Sequence, residues 1–497
     1  MNGNGEAQPA PRPALVPPGK FADLEDVIEV DNLWDVLAPR PSPLGGGGVD
    51  ERLFVSNEDR VAVQALVHGS ADSMGAGCPG ASVYDVAQDV CVPVEPWAMR
   101  SGPRREVYFD PREVQAAVVT CGGLCPGLND VVKGLVNTLE TYGVPRGNVI
   151  GVRYGFQGFY KTDTPPVILS RAEVAGIQHD GGTVLGTSRG GSDTNKIVDA
   201  IQNRKINMVF VVGGNGGNAG AAALQAECKR RAYPCAVVGI PKSIDNDILL
   251  IDKTFGFDTA VGEAVKAINA AYVESTSAYR GVGVVKLMGR QSGFIATYAT
   301  LASGEVDLCM IPELQYTIHG PGGVLDFVEA TVARKGHCNI VVAEGALQDQ
   351  LKHDTATDLS GNPILECPGL YLRGELKAHF QQPGKEKVDL KYIDPSYMIR
   401  SVETNTADKI FCIQLAQGAV HAAFAGFTGI TVGVVNNHTA YLPIGLVVSA
   451  PRVVDPEGKS WQRVLSLTGQ PASFVPDPAG AEDLEASRTY DEGLSPV

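Results

Sequence analysis

Short apolar runs alternate with stretches of helical period through most of the chain. The runs are "AAVVT" (116–120), "NVIGV" (148–152), "NMVFVVGG" (207–214), "CAVVGI" (235–240), "GVGVVKLMG" (281–289) and "CNIVVAEG" (338–345). They are apolar at successive positions rather than at alternate ones, so both faces of each strand must be covered. That is the signature of a parallel sheet flanked by helices. After residue 257, Val261, Ala264, Val265, Ile268 and Tyr272 recur at helical spacing, and Asp258 stands where an N-cap is expected. The pattern predicts an α/β protein of two Rossmann-like lobes with mostly parallel sheets. In such folds ligands gather at the carboxyl ends of the strands.

The ends of the chain read differently. The first fifty residues carry "APRPALVPPG" and "APRPSPLGGGG", a Pro/Gly-rich extension expected to build no core. It lacks the charged-then-apolar pattern of a signal peptide, and Asp and Glu from residue 23 onward argue against a transit peptide. The last stretch, "PDPAGAEDLEASRTYDEGLSPV", is expected to be an acidic, mobile tail.

With 497 residues the chain exceeds one compact core, and 44% hydrophobic residues is ordinary for a globular protein. No apolar run approaches the roughly 20 residues of a membrane span. A formal charge of −15 argues against a nucleic-acid or anionic-membrane surface. An anionic ligand must therefore be held by locally placed Lys, Arg and backbone amides. The 10 cysteines, without a secretory signal, point to reduced thiols. Cys121 and Cys125 fit no common zinc spacing; small residues at a strand end are the ordinary reading of the pair.

Glycine-rich turns stand at the ends of several runs: "TCGGLCPGLND" (120–130) after the first, "LGTSRGGSD" (185–193) before a helix, and "VVGGNGGNAG" (211–220). Glycine lets the backbone approach a phosphate, and amides at a helix start supply donors. Arg189 adds a guanidinium suited to phosphate oxygens. One such turn is as often a tight connection as a site; three together favour a nucleotide or polyphosphate. Neither the Walker pattern nor the dinucleotide fingerprint is present.

The stretch "GIPKSIDNDILLIDKTFGFDTA" (239–260) sets Asp245, Asp247 and Asp252 beside a buried run and Lys242. Phosphoryl transfer needs a positioned nucleophile, a base for its proton and a cation. Asp245 and Asp247, two apart on an extended or turning segment, can face one cleft. One can serve as base while the other helps hold Mg²⁺; Ser243 and Lys242 can donate to transferring oxygens. An Asx-type turn across Asp245-Asn246-Asp247 is the structural alternative, on equal terms from these residues alone.

"PKSIDND", with "TCGGLCPGLN", "GTSRGG", "FGFDTA", "KLMGRQSGF", "AEGA" and "YIDPSYMIR" (392–400), resembles the 6-phosphofructokinase family, in particular its long plant-type branch. The resemblance runs from about residue 100 to 470. It implies transfer of the γ-phosphoryl group of ATP to the 1-hydroxyl of fructose 6-phosphate, with the active site in the cleft between the lobes. It also implies a nucleotide-binding lobe from 95–256 plus 399–445 and a sugar-phosphate lobe from 257–398. An N-terminal extension (1–94) and a C-terminal segment (446–497) flank these. By resemblance Asp245 is the base, Ser243 a donor beside it, and Asp247 the acid near the metal. Arg290 joins them in catalysis, and Met288, Gly289 and Arg290 form the sugar-binding segment. Glu344 accepts from the sugar, Tyr397 and Arg400 grip its 6-phosphate, and Lys391 reaches that phosphate from a neighbouring subunit. Gly123, Phe156, Arg189, Lys242 and the turn Gly214, Asn215, Gly216, Gly217 to Gly220 match the nucleotide pocket, with Asn215 and Asp247 toward Mg²⁺. The expected partners are ATP, fructose 6-phosphate and copies of the chain (dimer or tetramer), in cytosol or chloroplast stroma.

Two departures matter. The commonest ATP-using pattern, Gly-Gly-Asp-Gly followed by Ser or Thr, is here Gly214-Asn215-Gly216-Gly217 with Gly213 before it. Lys242 replaces a glycine usual in bacterial ATP-using relatives. Three readings follow: an ATP-dependent 6-phosphofructokinase, favoured by Gly216; a pyrophosphate-dependent one, favoured by Lys242; and a regulatory subunit without turnover, favoured by Asn215 and Gly217. Cys121 and Cys125 bracket the first turn, so a disulfide there would reshape the nucleotide pocket.

Overall fold

The computed structural model describes residues 27–45, 53–63, 82–85, 90–93, 97–351 and 365–475. The expected acidic tail (476–497) and the first Pro/Gly-rich stretch lie outside these residues.

Two sheets organise the chain. The larger has nine strands. In chain order they are β1 (Arg60–Ala62), β2 (Trp97–Arg100), β3 (Ala116–Thr120), β4 (Val149–Val152), β5 (Val167–Ile168), β6 (Met208–Gly213) and β7 (Ala236–Pro241), with β12 (Ile430–Val435) and β13 (His438–Pro443) added late. Across the sheet the order is β1-β2-β13-β12-β7-β6-β3-β4-β5, and the five strands from β12 to β4 run parallel. Every residue of β3, β6 and β7 is buried, as double-sided coverage requires. The smaller sheet is all parallel, in the order β9 (Leu308–Met310), β10 (His337–Ala343), β8 (Gly281–Leu287), β11 (Asp389–Ile393). The expectation of mostly parallel α/β sheets holds.

Register decides where the turns fall. Val212 of β6 pairs with Thr120 of β3, and Gly213 with Pro241 of β7. The three strands therefore end at one level, and the loops leaving them are neighbours. In the smaller sheet Leu287 pairs with Ala343, which brings Met288 and Glu344 side by side.

Besides α1 (Leu128–Thr141), α2 (Thr194–Asn203), α6 (Val324–Lys335) and α7 (Pro368–Phe380), three helices connect sheet to site. α3 (Asn215–Arg230) starts directly at the end of β6. α4 (Phe257–Ser277) crosses from one sheet to the other, and α8 (Thr406–Phe424) returns the chain to the larger one. Helix α4 begins earlier than its periodicity suggested. Its N-cap is Gly256 in the left-handed region (φ 84°), not Asp258, which lies in the first turn and pairs with Lys253 at 2.6 Å. The capping acid is Asp408 of α8, whose Oδ2 accepts from the Thr259 N–H (2.8 Å) and hydroxyl (2.6 Å). Gly256 is needed there: a Cβ would lie 2.4 Å from Cys125 Sγ and 2.6 Å from the Pro126 carbonyl.

The extension is not without a core. Ile28 is buried, Trp34 donates its indole N–H to the Ala425 carbonyl at 2.8 Å and packs on Phe427, and β1 extends the larger sheet. The Pro/Gly composition masked these apolar anchors. At the other end a strap, residues 450–475, runs past the catalytic segment, places Trp461 of a helix (Lys459–Thr468) in the core, and finishes beside Tyr316 with Phe474.

Candidate active site

The first and second glycine turns are tied to each other: Thr187 Oγ1 donates to the Gly122 carbonyl (2.7 Å) and the Gly122 N–H to that of Ser188 (3.0 Å). Gly122 and Gly123 therefore face outward from a fixed platform. A Cβ on Gly122 would lie 3.6 Å from Lys242 Nζ, and one on Gly123 would lie 3.8 Å from an Arg189 terminal nitrogen and 3.9 Å from one of Arg400. Three cations thus converge on two adjacent glycines, a setting suited to phosphate groups. Among the described residues Lys242, although buried, meets no carboxylate at ion-pair distance.

The third turn opens α3. The Lys242 N–H donates to the Gly213 carbonyl (2.9 Å), which locks the β7 exit against the helix start. A side chain at Gly216 would find nothing within 4 Å, whereas one at Gly217 would touch Cys121 Cβ at 3.4 Å. Phe156 is buried with its ring on Gly220, where a Cβ would come within 2.6 Å of it. Phe156 thus supports α3 from behind.

The catalytic segment leaves β7 through Ser243. Its middle residue serves the turn: Asn246, at φ 57°, accepts the Thr254 N–H on Oδ1 at 2.9 Å. The bond ties the turn to a residue eight positions on, so it is a strut across the loop rather than an Asx-turn. Ser243 Oγ donates to Asp247 Oδ1, and Asn215 Nδ2 reaches Asp247 Oδ2 at 3.4 Å. Asp245 Oδ1 and Asn215 Oδ1 are buried with no hydrogen-bond partner among the described residues. Asp252, grouped with these acids in the sequence, turns away and accepts the Asn437 N–H at 3.0 Å.

Electrostatics follow from the crowding. Burial, then the charges of Asp247 and Glu344, push the Asp245 carboxyl well above its ordinary value; Lys242 and the Arg290 N–H pull the other way. Asp247 is also raised, by burial, against the Ser243 hydroxyl and Lys242. Glu344 is raised by burial, with Lys286, Arg290 and Arg400 opposing. Arg290, Glu344, Arg400 and Asp245 are therefore electrostatic neighbours across the two sheets. Gly289, at φ 123°, and the Gly345 N–H to its carbonyl (3.0 Å) hold the Met288–Arg290 turn against Glu344.

Not every sequence candidate joins this cluster. Tyr397 is 74% exposed, with the Arg400 guanidinium 5.0 Å from its ring. Lys391 sits on edge strand β11 and pairs with Asp389 (3.1 Å) and Glu274 (3.8 Å). Cys121 and Cys125 are free, buried thiols, each pushed up to about 12 by burial, so they are neither bridged nor thiolate-like. The sequence offered no local sign of the supports from Asp408 and Arg452, which bond the 239–260 stretch from outside, or of Glu313 behind them.

Glycine turns level with a carboxylate-bearing strand exit, facing a second parallel sheet that contributes Arg290 and Glu344, define a two-lobed phosphoryl-transfer enzyme. The phosphofructokinase family model matches residues 115–423. The chain is 50% identical over 466 residues to the chloroplastic ATP-dependent 6-phosphofructokinase 5 of Arabidopsis thaliana, covering 90% of this chain and 85% of that one. It is 50% identical over 479 residues to ATP-dependent 6-phosphofructokinase 7 of the same plant, covering 95% and 93%. An ATP-dependent 6-phosphofructokinase of Borreliella burgdorferi is 44% identical over 384 residues, with 76% and 85% covered. Among solved structures, a pyrophosphate-dependent phosphofructokinase from Marinobacter aquaeolei superposes with a TM-score of 0.59 at 20% identity, covering 74% and 94%, a likeness of fold. The chain belongs to the phosphofructokinase family. No helix of the described residues is long and apolar enough to cross a membrane.

Proposed function

We propose that this chain is an ATP-dependent 6-phosphofructokinase that transfers the γ-phosphoryl group of ATP to the 1-hydroxyl of fructose 6-phosphate. The observation that carries this reading is the placement of Asp245. Its Oδ1 is buried with no partner among the described residues, and the carboxyl feels Glu344 of the facing sheet and Lys242 beside Gly122. Asp245 accepts the hydroxyl proton as the sugar oxygen bonds to the γ-phosphorus and the bond to the ADP oxygen breaks. The raised proton affinity suits a general base. Lys242, Arg189 and the amides of Gly122, Gly123 and the α3 start hold the phosphates. Arg400 takes the 6-phosphate, and Glu344 accepts from a sugar hydroxyl.

Mg²⁺ fits Asp247 and the orphaned Asn215 Oδ1, hard oxygens that leave room for phosphate and water ligands. Among the described residues no group of three His, Cys, Asp or Glu side chains forms a closed metal cage. When bound, the cation neutralises phosphate charge. The nucleotide lobe is the one built on the larger sheet, the sugar lobe the one on the smaller. Lys391, on an open sheet edge, is presented to a second copy in a homo-oligomer, a dimer or tetramer.

The names of the sequence relatives and the open space at Gly216 support ATP; the unpaired Lys242 beside Gly122 favours pyrophosphate. Initial rates with fructose 6-phosphate and Mg²⁺, with ATP and pyrophosphate in parallel, test this. Turnover with ATP is expected. Turnover with pyrophosphate alone selects the second donor, and none with either leaves a regulatory subunit.

A further inference from the structure

One carboxylate outside the catalytic motifs reaches both halves of the catalytic segment. Glu313 follows β9 and the Ile311-Pro312 turn. Its Oε1 accepts two backbone N–H groups, that of Gly293 at 2.9 Å and that of Val454 at 2.7 Å. Gly293 is the N-cap of α5 (Phe294–Ser303) and follows Met288–Arg290 after Gln291 and Ser292. The residue before it, Ser292, donates its hydroxyl to the Asp245 carbonyl at 3.2 Å. Val454 belongs to the strap, where the Arg452 N–H donates to the Asp247 carbonyl at 2.9 Å. The Arg452 guanidinium binds the Ile251 (3.1 Å) and Asp252 (2.8 Å) carbonyls and lies 4.8 Å from the Phe294 ring centre. From Glu313, one route of backbone and side-chain bonds ends on Asp245 and the other on Asp247.

We propose that Glu313 is a positioning residue for phosphoryl transfer, holding the main chain of Asp245 and Asp247 in mutual register through one shared carboxylate oxygen. The inference rests on the proposed activity but reads a different part of the molecule. Glu313 touches neither acid. Its role is to keep Ser292 and Arg452 where their bonds stop the two carboxylates from drifting apart. A displacement of about 1 Å at such groups can reduce rate about 10²-fold.

The same carboxyl is sensitive to pH. Glu313 Oε2 is buried with no partner among the described residues. Burial pushes the group up to about 7, against the Val454 and Gly293 N–H bonds. The titratable groups around it are Cys309 and Tyr316, on its own strand and turn, and Arg452 on the strap. Gly293 and Phe294 at the α5 start carry no titratable side chain. Arg452 is committed to carbonyls, and Cys309 and Tyr316 are both held protonated by burial. Among the described residues the ionised carboxylate thus meets no countercharge, but it binds both N–H groups more strongly than the acid does. Positioning should tighten, and kcat rise, as pH climbs through about 7.

Glu313→Gln retains an acceptor for both N–H groups and cannot ionise; Glu313→Ala removes the acceptor. At saturating substrates, Glu313→Ala is expected to lower kcat by about 10-fold or more, within the range such displacement allows, with KM for both substrates little changed. Glu313→Gln should keep most of kcat but lose the step near pH 7. Hydrogen exchange at the Gly293 and Val454 amides should quicken in Glu313→Ala and should slow with ionisation in the wild type, relative to Glu313→Gln at matched pH. Exchange reads the clamp even if the wild type turned over neither donor, which separates failure of the clamp from failure of the assigned activity. A Glu313→Gln enzyme with the wild-type pH step, or wild-type exchange in Glu313→Ala, overturns the proposal. If Glu313→Ala does not fold, the Glu313→Gln profile and exchange decide.

Discussion

Asn215→Asp restores the acid found in the commonest family pattern, and its consequences can be worked from the geometry. An oxygen placed where Asn215 Nδ2 now stands would lie 3.4 Å from Asp247 Oδ2 and replace a donor with an acceptor. Two unit charges about 4 Å apart repel by about 4 kcal/mol at an effective dielectric constant near 20. Lys242, whose charge opposes the rise at Asp247, offsets part of this repulsion. One carboxyl of the new pair should therefore titrate higher than either would alone. The sign follows: a carboxyl raised in the folded state favours folding below its unfolded value and forfeits that advantage as pH rises through the folded one. Without metal, Asn215→Asp should melt below the wild type at pH 8, by about 2–4 °C per kcal/mol, with a smaller gap at pH 6. Added Mg²⁺ should close the gap at pH 8, because a second carboxylate is the better hard ligand. The half-saturating Mg²⁺ for turnover should fall. Differential scanning fluorimetry across Mg²⁺ and pH, with initial rates, reads all of these. Equal Mg²⁺ responses in the two proteins would place the cation elsewhere and refute the assignment.

Asp245→Asn should reduce kcat by about 10²–10⁴-fold with little change in sugar binding, since a base acts through the transition state; near-normal turnover removes Asp245 from that role. Arg400→Ala should raise the half-saturating fructose 6-phosphate concentration about 10- to 100-fold, the equivalent of about 1.5–3 kcal/mol for a charge-assisted phosphate contact; an unchanged value sends the 6-phosphate elsewhere. Gly220→Ala sets a methyl within 2.6 Å of the Phe156 ring. Overpacking of about 1–3 kcal/mol should exceed the roughly 1 kcal/mol helix-propensity gain, so a melting temperature at or above that of the wild type contradicts the packing.

Legibility in the sequence tracked contact range. The doubly apolar strands were readable because burial on both faces leaves its mark within each run. Ser243, Asp245 and Asp247 were readable because they share a single turn. Asp252 was misgrouped for the same reason: proximity in sequence concealed a chain that turns through Asn246 and Leu250, both at positive φ, and carries the third acid to Asn437. The cap of α4 was missed because Asp408 acts from 149 residues away, and Glu313 because its bond to Val454 spans 141. Neither has a local signature. Trp34 and Ile28 were hidden by proline and glycine around them, although those residues only shape the path between apolar anchors.

The departures from the family pattern gain a common meaning once Lys242 is placed. Exchanging an acid for Asn215 removes a negative charge from the α3 start, and Lys242 adds a positive one beside Gly122. Both changes shift the charge beside the glycine turns in the same direction. Beside those turns the β7 exit keeps Asp245 and Asp247, and the facing smaller sheet contributes Glu344; all three are driven toward their neutral forms by burial. A site with surplus positive charge at the glycine turns and buried acids of raised proton affinity at the adjoining strand exit suits a polyanionic donor and a hydroxyl acceptor. In the proposed reaction the phosphates offset the first, and the sugar hydroxyl gives its proton to the ionised form of Asp245. A subunit that only bound nucleotide would need the cationic turns but would have no use for the buried, unpartnered Asp245 oxygen, which is costly to maintain unless a proton is delivered to it. That pairing of cationic turns with a buried acid favours catalysis over regulation as the purpose of the site.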